Sequence, residues 1–106
     1  MWSVETLNAT VDAEIEALPP DLRARVSRTA ALIEAKGLES LSFDMVKHLE
    51  GKLWELRVKA QSGIARAIYV TAVGRRVVLL VVFLKKSQKT PGRVLQLARE
   101  RARMVR

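Results

Sequence analysis

Apolar and polar positions alternate with period two in some stretches of this chain and recur near every 3.6 residues in others. The switches between the two periods divide it into elements. Trp2, Val4 and Thr6 alternate with Ser3, Glu5 and Leu7, which predicts a short strand over residues 2–7. Val11, Ile15 and Leu18 then share one helical face, with Asn8 or Thr10 as cap and Asp12 in the first turn, so a helix of about ten residues follows. Pro19-Pro20 ends it, because neither ring nitrogen donates to the helical ladder. A second helix is predicted over 20–36. Leu22, Val26, Ala30 and Ile33 form its apolar stripe, Arg23, Arg25 and Arg28 lie off the stripe, and Gly37 suits its C-terminal cap.

Residues 38–52 show no period and read as irregular chain, with a turn at Gly51. From Leu53 to Lys59 the alternation is clean: Trp54, Leu56 and Val58 on one face, assigned to the core, and Glu55, Arg57 and Lys59 on the other. Gln61-Ser62-Gly63 predicts a hairpin turn, Ile64 to Val73 a returning strand, and Gly74-Arg75 another turn. Val77 to Leu84 is apolar throughout, as in an interior strand covered on both faces. Thr90-Pro91 reads as cap and first position of a closing helix, with Val94, Ala98, Ala102 and Val105 inward and Arg99, Arg103 and Arg106 outward. The order implies an α+β fold: a short N-terminal strand, a helical hairpin, a three-stranded antiparallel meander and a C-terminal helix. The helices are expected on one sheet face, leaving the other as a basic groove. At 106 residues, 1–106 is expected to form a single domain.

Charge sharpens this picture. Ten of the eleven acidic residues fall in residues 1–55, and thirteen of the nineteen Lys and Arg fall in 56–106. The basic half presents a field that attracts polyanions and speeds their capture. With no Cys, disulfides and thiolate chemistry are excluded, and one His, His48, excludes a multi-histidine metal site within the chain. The start Met1-Trp2-Ser3-Val4-Glu5 has no basic segment leading into an apolar run, and the eight-residue run Val77–Leu84 is too short to span a bilayer. A cytoplasmic protein without membrane contact is therefore expected.

Arg57 projects from the polar face of its strand, Arg66 interrupts an apolar strand, and Lys85, Lys86 and Lys89 follow the buried strand. Neighbouring antiparallel strands bring such positions within reach. Clustered cations repel one another but suit a phosphate and the charge that builds on it during transfer. Each also has a plainer reading: Arg57 paired with Glu55 or Glu50 at a rim, Arg66 buried with a carboxylate, the lysines as solvated guards of a strand end. His48 has a free pKa near neutrality, which suits a general acid or base, or it is a surface or capping residue. Tyr69, like Trp54, could stack on bases, although strand aromatics more often fill the core.

Four segments carry a resemblance. Lys47-His48-Leu49-Glu50-Gly51-Lys52-Leu53-Trp54-Glu55-Leu56-Arg57 is similar to the hL-x-G-x-LWELR signature of phage-derived HigB-like toxins in the RelE/ParE superfamily. Gly63-Ile64-Ala65-Arg66-Ala67-Ile68-Tyr69 resembles that family's G-x-x-R-x-x-Y strand, and Phe83-Leu84-Lys85-Lys86-Ser87-Gln88-Lys89-Thr90-Pro91 its F-x-KK-x-Q-K-T-P segment. Ala98-Arg99-Glu100-Arg101 is similar to its closing helix. The resemblance implies a RelE-like microbial RNase toxin fold and the toxin of a type II toxin–antitoxin system. Such a toxin is a ribosome-dependent endoribonuclease acting on translated mRNA, neutralised by a helix-turn-helix antitoxin. It implies attack by the RNA 2′-hydroxyl on the adjacent phosphate, with no metal, cofactor or small-molecule ligand. Arg57, Arg66 and Lys86 match the catalytic cations, and Lys59, Lys85 and Lys89 are assigned to RNA binding. Gly92 lies near the position where some relatives carry a catalytic Tyr. A non-catalytic nucleic-acid- or gyrase-targeting protein on the same scaffold is the alternative.

Overall fold

The computed structural model describes Met1–Arg106 and contains one five-stranded sheet in the order β1-β5-β4-β3-β2. Its elements are β1 (Ser3–Thr6), α1 (Ala9–Glu16), α2 (Pro20–Lys36), β2 (Val46–Glu50), β3 (Leu53–Ala60), β4 (Gly63–Ala72), β5 (Arg76–Leu84) and α3 (Gly92–Ala102). Short 3-10 turns at Leu38–Ser40 and Phe43–Met45 link α2 to β2. β1 runs parallel to β5, and every other pairing is antiparallel. The α+β order, helical hairpin and meander are those the periodicity implies, and β5 lies inside the sheet as its apolar run requires.

Local chemistry accounts for the boundaries. Asn8 caps α1 by accepting from the Val11 N–H at 3.2 Å. Pro20 opens α2, where a missing N–H costs nothing, and Gly37 closes it at φ +92°, a backbone conformation that side chains with a Cβ rarely adopt. Gly74 and Arg75, both at positive φ, turn β4 back into β5.

Three expectations are corrected. Residues 46–50, read as irregular, form the edge strand β2. Its pairing with β3 carries a register irregularity between His48 and Glu50, which breaks the period-two signal that a regular strand leaves in sequence. Trp54, assigned to the core, is 39% exposed, because β2 and β3 end in a hairpin that α2 does not cover; its indole lies against the His48 ring, centroids 4.9 Å apart. The helices do not share one face. α1 and α2 cover the face bearing Leu56, Val58, Ala65, Ala67, Tyr69 and Val77, whereas α3 covers the opposite face over Ile68, Val70, Val78 and Leu80. Both faces of β5 are apolar, so one helical layer would leave half of that surface in water.

The sheet also needs its edge closed. β1 pairs only with Arg76–Leu79, so β5 runs on beyond it with backbone groups facing outward. Glu14 of α1 accepts from the Val82 N–H at 2.9 Å, and Arg101 of α3 donates to the Leu80 carbonyl at 2.7 Å. The two side chains are themselves paired at 2.8 Å, joining the helical layers around the strand. Arg101 falls on the apolar stripe of α3, at helical spacing from Val94 and Ala98, and is buried. A second tie fixes α2 to the β3–β4 turn: Asp21 accepts from both the backbone N–H and the hydroxyl of Ser62. These hydrogen bonds hold its carboxyl below the ordinary aspartate value. No helix is long and apolar enough to cross a membrane.

Arg101→Met, which keeps the stem and removes the guanidinium, is expected to lower unfolding free energy by about 3 kcal/mol in denaturant titrations. Glu14→Gln should cost less, because its amide oxygen still accepts from Val82. The Asp21 tie stabilises the fold above the ordinary aspartate pKa and is lost as pH falls through its depressed folded value. NMR titration should place the Asp21 midpoint below that of an unstructured aspartate, with Ser62→Ala raising it again.

Candidate nucleic-acid interface

The pleat of β3 and β4 puts Glu55, Arg57 and Lys59, together with Arg66 and Ile68, on the α3 side of the sheet. Arg57 and Arg66 stand directly opposite each other in the β3–β4 register, and Arg66 is opposite Phe83 of β5. Two arginines facing each other would repel, and Glu55 resolves this. Its carboxylate is 1% exposed, accepts from Arg57 Nε at 3.4 Å and lies 3.6 Å from Arg66 Nη1.

Arg66 itself is only 1% exposed, the largest fully buried side chain of the protein. α3 does not reach this end of the sheet. The chain between β5 and α3 covers it instead: Arg66 Nη2 donates to the Gln88 carbonyl at 3.1 Å, and the Thr90 hydroxyl donates to Glu55 at 3.0 Å. Thr90 thus caps no helix. Pro91 occupies the N-cap of α3 without a side-chain bond, and the Thr90 hydroxyl is committed to the buried carboxylate. The Nε of Arg66 is buried without an acceptor.

Beside this segment lies a cleft of about 370 Å³ between α1, the end of β5 and the start of α3. Arg66, Lys86, Lys89 and Arg93 line it, and Glu14 is its one acidic residue, already bound to Val82 and Arg101. Of the residues singled out in sequence, Arg66, Lys86 and Lys89 meet here. Lys85 is half-buried, and its backbone N–H continues the sheet to Ile64 at 2.8 Å. Arg57 and Lys59 border a separate depression on the outer side of β3, so five of the six cations divide between two hollows, Lys85 lines neither, and no single open groove collects them. The expected groove does not form because α3 and the 85–91 segment cover that face.

Two members were not recognised in sequence. Glu55 was read only as a possible rim partner for Arg57; its place on the same strand face, two residues away, was the available signal. Arg93 lies two residues past Pro91, in the first turn of α3, and leaves no pattern of its own. His48 is remote from these cations. It is exposed on β2, with Nε2 2.8 Å from the Gly51 carbonyl and its ring against Trp54, a hairpin contact on the opposite sheet face. Tyr69 is core, and burial pushes its hydroxyl up to about 12. No group of three or more His, Asp or Glu side chains is placed to hold a metal ion.

The model of the family described as "Phage derived protein Gp49-like (DUF891)" matches residues 13–103. Among solved structures, the chain is similar to archaeal RelE in the RelE–RelB complex from Pyrococcus horikoshii OT3. The TM-score is 0.57 and the identity 22%, over 78% of this chain and 93% of that one. The fold is RelE-like. No curated protein matches the chain.

Glu55→Ala leaves Arg66 buried without its counter-charge and is expected to cost about 3–5 kcal/mol. Replacing both partners (Glu55→Met with Arg66→Met) should recover most of that loss. Denaturant unfolding of Glu55→Met, of Arg66→Met and of the double variant measures the coupling directly.

Proposed function

The chain belongs to the Gp49-like family of phage-derived proteins, and on that premise we propose that it is the toxin of a toxin–antitoxin pair, an endoribonuclease that cuts mRNA on the ribosome. The observation that carries the reading is the convergence of Arg66, Lys86, Lys89 and Arg93 on one cleft at the end of β5. Cations so placed draw in a phosphodiester and offset the charge that grows on its non-bridging oxygens during attack.

In this reading the RNA 2′-oxygen bonds to the adjacent phosphorus, and the bond from phosphorus to the 5′-oxygen breaks. The 2′-hydroxyl gives up its proton and the departing oxygen gains one, so the products are a 2′,3′-cyclic phosphate and a 5′-hydroxyl. Lys86 and Lys89, exposed at the cleft, meet the phosphate first. Arg66 forms the base. A phosphate oxygen takes the place of the Gln88 carbonyl on its Nη2 when the 85–91 segment shifts, while Glu55 keeps the guanidinium aimed. Arg57, in register with Arg66, adds positive charge beside it, and Lys85 and Lys59 extend the grip on the RNA backbone. The ribosome supplies the remaining alignment of the strand. The RelE of the similar structure is bound to RelB. By that analogy an antitoxin holds this chain inactive; its helix-turn-helix type follows from the resemblance to HigB-like toxins, and the cytoplasm is the expected compartment.

Brief induction of the chain alone should arrest bacterial growth, with new transcript 5′-ends confined to translated frames. Lys86→Ala, an exposed change outside both cores, should lower cleavage about 10²-fold with thermal stability unchanged. Intact transcripts after induction of a folded wild-type chain, or equal cutting of untranslated RNA, would overturn the reading.

A further inference from the structure

We infer that Arg25 and Arg28 of α2, together with Arg57 and Lys59 of β3, form a second phosphate-binding site that holds an RNA backbone beside the cleft. The inference rests on the reading of RNA as the target and adds a site on a different element. β2 pairs with β3 only as far as Leu56, so the outer edge of β3 is open from Arg57 onward. A depression of about 530 Å³ occupies that opening. α2 approaches it from one sheet face, whereas Arg57 and Lys59 project on the other, and the four cations meet around the bare edge.

Their state points to an anionic ligand. Arg25, Arg28 and Lys59 are exposed and make no ion pair. Arg57 contacts Glu55 only through Nε, leaving both terminal nitrogens of its guanidinium uncommitted. Asp44 is the single acid lining the depression, and it bridges to none of them. Arg25 and Arg28, three apart on one helix, repel each other slightly and bring the fold no compensating contact. Arg23, by contrast, is paired with Glu16. Four cations in one concavity, three of them unpaired and the fourth held only through its Nε, lower the energy of a bound polyanion and of little else.

The place of the site defines the ligand further. Arg57 is opposite Arg66, the base of the cleft, so one cation of each hollow faces one of the other across adjacent strands. Phosphates of one strand, or of an RNA packed against it, continue from the cleft to α2. The basic track therefore recruits arginines from the half of the chain whose overall charge is negative.

The test uses the double variant Arg25→Ala/Arg28→Ala, with Arg103→Ala, an exposed residue just past the end of α3, as the control for bulk charge, and circular dichroism to confirm that α2 is retained. Binding is titrated against salt with two probes. One is a fluorescent 2′-O-methyl RNA oligonucleotide, which 2′-attack cannot cleave; the other is purified ribosomes without mRNA. For the oligonucleotide, the double variant should flatten the slope of log affinity against log salt by about 1.4, near 0.7 per lost phosphate contact. Arg103→Ala should leave it unchanged, and Arg25→Lys/Arg28→Lys should retain most of it. A loss with the oligonucleotide identifies the substrate strand as the ligand, and a loss with ribosomes alone identifies ribosomal RNA; either supports the site. Unchanged slopes with both probes, or an equal drop in Arg103→Ala, would overturn it. Neither probe reports cleavage, so absence of nuclease activity leaves this result standing, while active cleavage with unaltered slopes removes only the second site.

Discussion

A carboxylate and a guanidinium withdrawn from water, Glu55 and Arg66, set the geometry on which the basic end of this molecule depends. Burying either alone would cost several kcal/mol, so each requires the other to be present and correctly placed. The same carboxylate accepts from Arg57 and from Thr90, which ties β3, β4 and the segment leading to α3 to one point. An apolar pair of equal volume would hold the strands together as well. It would not hold positive charge at the base of a cleft in a fixed orientation, which is what the proposed phosphodiester chemistry needs.

The rest of the architecture determines where such a cleft can exist. β5 is apolar on both sides and is sandwiched between the helical hairpin and α3, so the centre of the sheet has no free face. Function is confined to strand ends and edges. One edge, along β5 beyond β1, is closed by Glu14 and Arg101; the other, along β3 beyond β2, stays open. The two hollows lined by cations lie at these two edges, and in the β3–β4 register Arg57 of one faces Arg66 of the other.

Much of this was legible as periodicity. The alternation in 53–59, the unbroken apolar run in 77–84 and the helical spacing in 20–36 report one-dimensional rules that each element obeys locally. β2 escaped because an irregular edge strand with a single partner need not alternate. Trp54 was misassigned because alternation tells which face a side chain takes, and not whether anything covers that face. Thr90 followed the rule for a cap, but its hydroxyl found a buried acceptor from a strand 35 residues away, a stronger claim than solvent-exposed helix N–H groups make.

The candidate site divides along the same line. Residue types and order determined by themselves that the second half is strongly basic, that Arg66 is anomalous in an apolar strand, and that lysines follow its neighbour. Those are properties of composition and local pattern. Only the tertiary structure decided that Arg66 is buried on Glu55, that Lys86 and Lys89 share a cleft with Arg93, and that Arg57 and Lys59 turn toward arginines of α2. Such partnerships depend on strand register and on which helix covers which face. Both are settled by burying apolar surface across the whole chain, and no local stretch of sequence carries that information.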